Sequence, residues 1–422
     1  MREELSDKSD TGSGGEVMKH VIIGAGAAGI SAARTIRMNR ATDEIVVISA
    51  DKAVHSRCML HKFISGERNE NELSFASSGF FEEYNIRWFG GVSVLGVDIT
   101  QKRVEFDGGF ESYDRLLIAS GSESIFPPIE GLRKASNILG FRDLADAKLI
   151  REKAAKSEHI VILGAGLIGL DAAYGMVEMG KKPIIVEMAE TVLSSNMDTH
   201  AAAAYQTKFE EAGCRFRLSE KVSKVLVDAS GAATAVKLAS GEQLVCDLLI
   251  VAAGCRPTTG YLANSGIAHE HGVTVDKHLE TTAQGVYAAG DAAGLSSNWP
   301  DAVKQGEVAA LNMCGLPAVY GDAPINKCTV NFFGIPSLSI GQFTQSQGDE
   351  VNSREDRRRY QKAIIRNGVP VGVILQGDIS RGGFWQNLIV NKVNIAEIDK
   401  PTWKISLADK YEFDENGEYV AG

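Results

Sequence analysis

HVIIGAGAAGI, His20–Ile30, sets a short apolar run against a cluster of glycines and alanines, and a helical pattern follows. Val21–Ile23 suits a buried strand, Gly24–Gly29 a tight turn, and Ile30 the opening of a helix, the order found in a dinucleotide-binding βαβ unit. The glycines follow from what such a turn must do. Gly24 permits a sharp change of direction, Gly26 has no Cβ to block a diphosphate, and Gly29 lets helix and strand pack closely. Free amides at the helix start and the positive end of its dipole then face the anion, contributing about 0.3–1 kcal/mol when exposed. One G-x-G-x-x-G alone is weak; the context gives it weight.

That context recurs. IVILGAGLIGL, Ile160–Leu170, repeats the pattern with Gly164, Gly166 and Gly169, and Gly164 stands 140 positions after Gly24. Each copy leads to a second strand (Glu44–Ile48; Pro183–Val186) and then an alternating meander (Val92–Phe106; Val222–Leu238). Each closes on a strand that ends in glycine: DRLLIASG at 114–121 and DLLIVAAG at 247–254. Repetition of a whole module is far more specific than either glycine motif, and two modules imply two dinucleotides. The second strands end differently. Pro183–Val186 closes on Glu187, a carboxylate suited to two ribose hydroxyls and repulsive to a 2′-phosphate. Met188, Ala189 and Glu190 follow with no arginine, so NAD is expected rather than NADP. In the first module Ser49 and Ala50 hold the corresponding places and Asp51 comes late, which leaves that ribose contact open.

A chain of 422 residues accommodates two or three domains. Its apolar fraction of 44% and charged fraction of 23% are those of an ordinary soluble protein. The net charge of −10 argues against bulk nucleic-acid binding and against a polybasic membrane contact. No run approaches the roughly 18 apolar residues of a membrane span. Residues 1–17 are polar and Gly/Ser-rich, expected to form a disordered leader with no visible secretory signal. Six scattered cysteines exclude a cysteine-ligated iron–sulfur cluster or structural zinc and suit a reducing cytoplasm. Val286–Ala288 reads as a strand closing on Gly290-Asp291, and Trp299–Gly306 opens another helix. Beyond about residue 321 the chain becomes a small α+β appendage with no fingerprint of its own.

GAGAAG (24–29), YDRLLIASG (113–121), FRDLADA (141–147), GAGLIG (164–169), DLLIVAAGCRP (247–257), VYAAGD (286–291) and WPDAVKQG (299–306) together resemble the flavin-dependent pyridine-nucleotide reductases. Within that family they are similar to the NADH:rubredoxin reductase branch and to the FAD/NADH-entry half of assimilatory nitrite reductases. VILQGDISRGG (373–383) is similar to the small interface domain of the same branch. The resemblance covers about residues 18–400. It implies an α/β fold with two Rossmann-like dinucleotide-binding domains, one for FAD and one for NAD. The FAD-binding domain would comprise 18–122 and 248–320, the NAD-binding domain would be inserted as 123–247, and 321–422 would form the C-terminal interface domain. By the same resemblance Gly24, Gly26 and Gly29 hold the FAD pyrophosphate. Arg57, Val94, Ala119, Gly121 and Arg142 border FAD, and Gly290 and Asp291 reach its ribitol. The helix starting near Pro300 aims its amides at the flavin's pyrimidine edge. Gly164, Gly166 and Gly169 bind the NAD pyrophosphate, Glu187 its ribose, and Gly254 approaches the nicotinamide.

The implied reaction is hydride transfer between nicotinamide and FAD, followed by electron exchange with a protein carrier of rubredoxin or ferredoxin type. The chain would work alone, as a homo-oligomer, or as the NAD-reducing subunit of a larger dehydrogenase with an iron–sulfur subunit. No metal site, nucleic acid or membrane partner is expected. Cys58 opens an alternative. It stands where NADH oxidases and coenzyme A-disulfide reductases carry a redox thiol, inside Arg57-Cys58-Met59-Leu60-His61-Lys62, which otherwise matches the R-P-x-L-S-K of the rubredoxin and ferredoxin reductases. Arg57 and Lys62 are expected to lower the thiol pKa; against this, no resolving cysteine is visible and an inert packed thiol fits as well. Lys62 is expected either near flavin N5 or as a solvated helix residue. The run Arg354, Arg357, Arg358, Arg359, Lys362 and Arg366 either docks an acidic carrier or is a solvated face. From a different class, the chain would be a non-catalytic flavin-binding module.

Overall fold

The computed structural model describes residues 16–321, 325–409, 411–413 and 419–421. All but the last two residues of the expected leader lie outside that description. The first module runs β1 (Lys19–Ile23), α1 (Ala27–Asn39), β2 (Glu44–Ser49), the short helices α2 (Leu60–Ser65) and α3 (Phe80–Glu83), and β3 (Ile86–Gly90). A meander of β4 (Val94–Asp98), β5 (Arg103–Phe106) and β6 (Gly109–Ser112) precedes β7 (Arg115–Ile118) and β8 (Ser122–Ser124). The second module runs β9 (Ile138–Gly140), α4 (Leu144–Lys156), β10 (Ile160–Leu163), α5 (Leu167–Glu178), β11 (Ile184–Val186), α6 (Thr199–Glu211) and β12 (Arg215–Arg217). Its meander is β13 (Val222–Val227), β14 (Ala233–Leu238) and β15 (Gln243–Val245), and β16 (Leu248–Val251) closes it. After β17 (Cys255–Pro257) come β18 (Val286–Ala288) and α7 (Trp299–Met313). The C-terminal part holds β19 (Lys327–Phe332), β20 (Ile335–Gly341), β21 (Glu350–Glu355), β22 (Tyr360–Arg366), β23 (Val369–Gln376) and α8 (Gly382–Val390).

Each module is a five-stranded parallel sheet, ordered β18-β7-β1-β2-β3 and β12-β11-β10-β16-β9. The central strands read as unbroken apolar runs because both faces are covered, as parallel sheets require. Ile22 pairs with Val47 on one side and Leu117 on the other; Ile162 pairs likewise with Ile185 and Ile250. β18 returns from far along the chain to pair with β7, so the first sheet is built from two separated segments. The boundary expected at 247/248 needs correction. Leu248–Val251 hydrogen-bonds to Ile160–Leu163 and so belongs to the second sheet, because the inserted module needs its own closing strand.

Packing is close within the first module and also crosses the module boundary. α1 and α7 touch so closely that a Cβ on Gly306 would lie 2.3 Å from the carbonyl oxygen of Ala28. α2, though it follows the first module's β2, buries Leu60, Phe63 and Ile64 in one core with Leu170, Ala173 and Met176 of α5. The antiparallel C-terminal sheet, ordered β19-β20-β23-β22-β21, is fastened to α6. Tyr205 Oη donates to the carbonyl of Ile335 at 2.6 Å, Gln376 Nε2 to that of Ala201 at 3.0 Å, and Lys362 Nζ to Asp198 Oδ2 at 2.9 Å. Among the described residues no helix is long and apolar enough to cross a membrane.

At the end of the first sheet away from the glycine turn, fully buried His20 on β1 meets Asp43, Nε2 to Oδ2 at 2.8 Å, and its Nδ1 has no partner. Desolvation outweighs the carboxylate and holds the imidazole below its ordinary pKa of 6.5. A folded state that prefers neutral histidine loses stability as pH falls through that ordinary value, by about 1.4 kcal/mol per unit of depression once well below it. Thermal unfolding followed between about pH 7 and pH 5 is therefore expected to show a falling midpoint, and His20→Gln a flatter one. Parallel slopes in the two proteins would disprove this.

Candidate functional site

The two glycine turns are built alike, bond for bond. Gly24 N donates to Ile48 O at 2.7 Å and Gly164 N to Val186 O at 2.8 Å. Each turn is thus tied to the end of its neighbouring strand. The helices open at Gly26 and Gly166, whose carbonyls accept from Ile30 N at 3.0 Å and Leu170 N at 2.9 Å. A Cβ on Gly24 would stand 2.1 Å from Ala119 O, and on Gly164 2.4 Å from Ala252 O. On Gly29 or Gly169 it would stand 1.9 or 2.0 Å from the carbonyl of the first glycine of its own turn. Gly26 and Gly166 are different: a Cβ there would meet no protein atom within 4 Å. Those positions face open space at a helix N-terminus, and a diphosphate fits that space and those amides.

From Gly26 a cleft of about 820 Å³ runs along the first module, within the size range of cofactor sites. Of the residues expected around FAD, Gly24, Gly26, Arg57, Val94, Ala119, Gly121 and Arg142 line it. Gly29 sits behind the turn. The far wall is made by Ile125, Phe126, Ile138 and Gly140, so the cleft lies between the two modules. Gly254, at the close of the second module, backs onto that wall, with Ile125 Cδ1 3.7 Å from where its Cβ would be.

Arg142, on the cleft wall, meets Asp291, which like Gly290 lies outside the cleft lining. Asp291 Oδ2 accepts from Ser122 Oγ at 2.6 Å and is ion-paired with Arg142 Nη2; Arg142 Nε also donates to Ser122 O at 3.3 Å. Asp291 faces a smaller recess of about 190 Å³ beside Ser296 and Cys255. Gly290 lies behind it, its amide donating to Gln305 Oε1 at 2.8 Å. Gln305, on α7, is fully buried and its Nε2 has no partner in the protein, an orphaned donor that a ligand carbonyl would satisfy. Arg57 bridges the front of the site, giving one hydrogen bond to Arg142 O and one to Asp51 Oδ2, both at 3.0 Å. The late carboxylate of the first module is therefore taken up by an arginine of the cleft wall.

The second module differs at the same point. Glu187 Oε2 accepts from Ala165 N, inside the glycine turn, at 2.7 Å, and Oε1 accepts from Ala189 N at 2.9 Å. The carboxylate is thereby clamped next to the second cradle, where ribose hydroxyls follow a diphosphate.

Cys58 and Lys62 each carry two readings from the sequence, a flavin-side role and an inert or solvated one. Neither lines the cleft. Lys62 Nζ is held by Glu67 Oε1 at 2.7 Å, a partner five residues on. Cys58 is open to solvent, yet its thiol is raised, not lowered: desolvation is the largest cause, the carboxyl of Asp171 adds to it, and Arg142 opposes. A thiol pushed upward is a poor nucleophile near neutral pH. Sequence reasoning gave no role to Ser122, Gln305, His61 and Asp171, although Gln305 lies inside WPDAVKQG and His61 inside the Arg57–Lys62 pattern, because only contacts made on folding single them out. Among the described residues no three His, Cys, Asp or Glu side chains converge as a metal site.

Half of the cationic run on β21 and β22 is paired with carboxylates of the protein itself. Arg359 pairs with Asp356, Lys362 with Asp198, and Arg366 with Asp349, while Arg354 lies over the ring of Trp403. The docking reading based on that run therefore keeps only the charges of Arg354, Arg357 and Arg358 without a carboxylate partner among the described residues.

Residues 18–306 match the family model described as pyridine nucleotide-disulphide oxidoreductase, and residues 326–393 match the rubredoxin NAD+ reductase C-terminal domain. The chain is 32% identical over 400 residues to the NADH-dependent phenylglyoxylate dehydrogenase subunit epsilon of Aromatoleum evansii, covering 91% of this chain and 94% of that one. It is 29% identical over 312 residues to the rubredoxin-NAD(+) reductase of Pseudomonas putida, covering 71% and 80%. The reductase in a covalent putidaredoxin reductase–putidaredoxin complex superposes with a TM-score of 0.78 at 22% identity, over 89% of this chain and 94% of that one, a likeness of fold.

Proposed function

We propose, starting from the fact that the chain belongs to the pyridine nucleotide-disulphide oxidoreductase family with FAD and NAD(H) as its cofactors, that it moves electrons between NADH and a one-electron protein carrier. The observation that carries this reading is the pair of matched cradles at Gly26 and Gly166, the first opening into a cleft whose far wall is built by the second module. FAD held in the first cradle supplies the chemistry, since it accepts a hydride and releases electrons. The protein's share is binding and alignment. Gly26 and the amides of α1 take the first diphosphate; Asp291, Ser122 and Arg142 reach the ribitol end; Gly166 and Glu187 hold NADH. Holding two reactants in register contributes about 7–11 kcal/mol toward the barrier.

A carrier of iron–sulfur type is the partner we favour, because the relative that matches end to end is named as a dehydrogenase subunit and the C-terminal match is to a rubredoxin reductase domain. The same chemistry run backward reduces NAD within such a complex. Six free cysteines support placement in the reducing cytoplasm. The raised Cys58 thiol weighs against the oxidase and disulfide-reductase alternative. Anaerobic addition of NADH to the FAD-loaded protein tests the reading. Rapid bleaching followed by recolouring with rubredoxin or ferredoxin is expected, and a Cys58→Ser enzyme is expected to behave the same. A flavin that NADH does not bleach would leave only a cofactor-binding module.

A further inference from the structure

Two titratable side chains from different modules meet where α2 packs on α5: His61 on α2 and Asp171 on α5. Nδ1 of His61 stands 3.3 Å from Asp171 Oδ1. Their meeting is enforced by packing. Gly175, one turn beyond Asp171, lies against α2 so tightly that a Cβ would come within 3.0 Å of both His61 O and Ile64 Cγ2. α5 begins at the second cradle, which places Asp171 little more than a turn inside it. α2 follows directly from Arg57, which lines the first cleft, and from Cys58, whose thiol feels Asp171, Arg142 and Asp291. The pair therefore stands between the two cradles.

Desolvation raises the Asp171 carboxyl to about 8 and lowers the His61 imidazole to about 4. Lys62 and Arg68 push the imidazole the same way and Glu67 opposes them. Cys58, before α2, and Cys328, on β19, are the other titratable groups that feel Asp171, and the Tyr174 ring meets His61 edge-on at 6.1 Å. Near neutral pH the pair is therefore a carboxylic acid beside a neutral imidazole, whose buried Nδ1 has no hydrogen-bond partner among the described residues and so is left to accept a proton. The Asp171 side chain keeps 28% of its surface open and His61 13%, so that proton has a way to water.

NADH surrenders two electrons and one proton, NADH → NAD⁺ + H⁺ + 2e⁻. A carrier that takes electrons singly takes no proton, so the proton is left inside the protein. We propose that the His61–Asp171 pair is the port through which this proton leaves, and through which one enters when the reaction runs toward NADH. The arriving proton displaces the one already on the pair, which passes to solvent, so charge balances at each turnover while two one-electron carriers are reduced. An acid whose pKa lies close to ambient pH exchanges protons in either direction with little cost.

The inference rests on the one-electron reading above, and the test separates the two. FAD-loaded wild type, Asp171→Asn, Asp171→Glu and His61→Gln are compared for anaerobic bleaching by NADH and for turnover with ferricyanide, which takes single electrons without docking. Asp171→Asn is expected to bleach at nearly the wild-type rate while ferricyanide turnover falls about 10- to 100-fold, with Asp171→Glu restoring it. Independently of activity, alkylation of Cys58 read at the peptide level is expected to show an inflection near the Asp171 pKa of about 8 in the wild type and none in Asp171→Asn. If Asp171→Asn loses its flavin, His61→Gln decides by its ferricyanide turnover. Unchanged turnover together with an unchanged alkylation profile would overturn the proton port. Wild-type flavin that NADH fails to bleach would instead overturn the reading beneath it.

Discussion

Gly26→Val is expected to give a folded, colourless protein, and Gly166→Val a folded, yellow one that NADH no longer bleaches. The argument turns on where a new side chain would go. At Gly24, Gly29, Gly164 and Gly169 a Cβ would strike backbone within 2.4 Å, so substitution there damages the fold. At Gly26 and Gly166 it would strike nothing in the protein. The added methyls instead fill the space that the diphosphate needs, and they cover the first amides of α1 and α5. Losing two hydrogen bonds to a charged group, each contributing about 1.5–3 kcal/mol, weakens binding by at least about a hundredfold. Flavin content by absorbance, the Kd for NADH and the thermal midpoint together check the prediction. A Gly166→Val enzyme with unchanged NADH affinity would mean that the second cradle does not hold the nicotinamide nucleotide.

Why one site was readable in the sequence and its neighbours were not follows from the range of the interactions. The cradles are local: strand, turn and helix lie within eleven residues, so their spacing appears directly in GAGAAG and GAGLIG. Val286–Ala288 was legible as a strand because Gly290 and Asp291 mark its end, while its return to the first sheet was implied by the family resemblance and is set by pairing with β7. The Arg142–Asp291–Ser122 contacts unite residues from three distant segments, and only the closed sheets bring them together. Lys62 turned away for a reason no spacing announces, since Glu67 is the nearer partner. Four of the six basic residues in the run from Arg354 to Arg366 looked free in sequence yet meet a carboxylate, a glutamine or an aromatic ring, or, like Arg366, both carboxylate and amide.

The His61–Asp171 meeting shows the same limit from another side. The two residues belong to different modules by sequence, and nothing in either marks the other. What joins them is a missing side chain at Gly175, which reads in sequence as an ordinary helical glycine. The module boundary misjudged at Leu248 has a similar origin: DLLIVAAG reads as a strand with certainty, but its sheet is decided by pairing with β10.

Replacing Glu187 is expected to redirect coenzyme choice without touching the flavin. Its two oxygens are pinned by Ala165 N and Ala189 N, so the carboxylate keeps one position whether or not a nucleotide is present in the cradle. A fixed negative charge there accepts from the adenosine-ribose hydroxyls of NADH and repels a 2′-phosphate. Glu187→Ala removes both effects. Loss of the charged hydrogen bonds is expected to lower kcat/KM for NADH about 10- to 100-fold, while NADPH, relieved of repulsion, becomes a better substrate than in the wild type. The ratio of the two kcat/KM values, measured with one acceptor at one ionic strength, is the decisive number, and it should fall toward unity. Flavin content should stay put, because Glu187 lies outside the first cleft. A ratio that does not move would place the adenosine ribose somewhere other than the end of β11, and the orientation of NADH in the cleft would have to be drawn again.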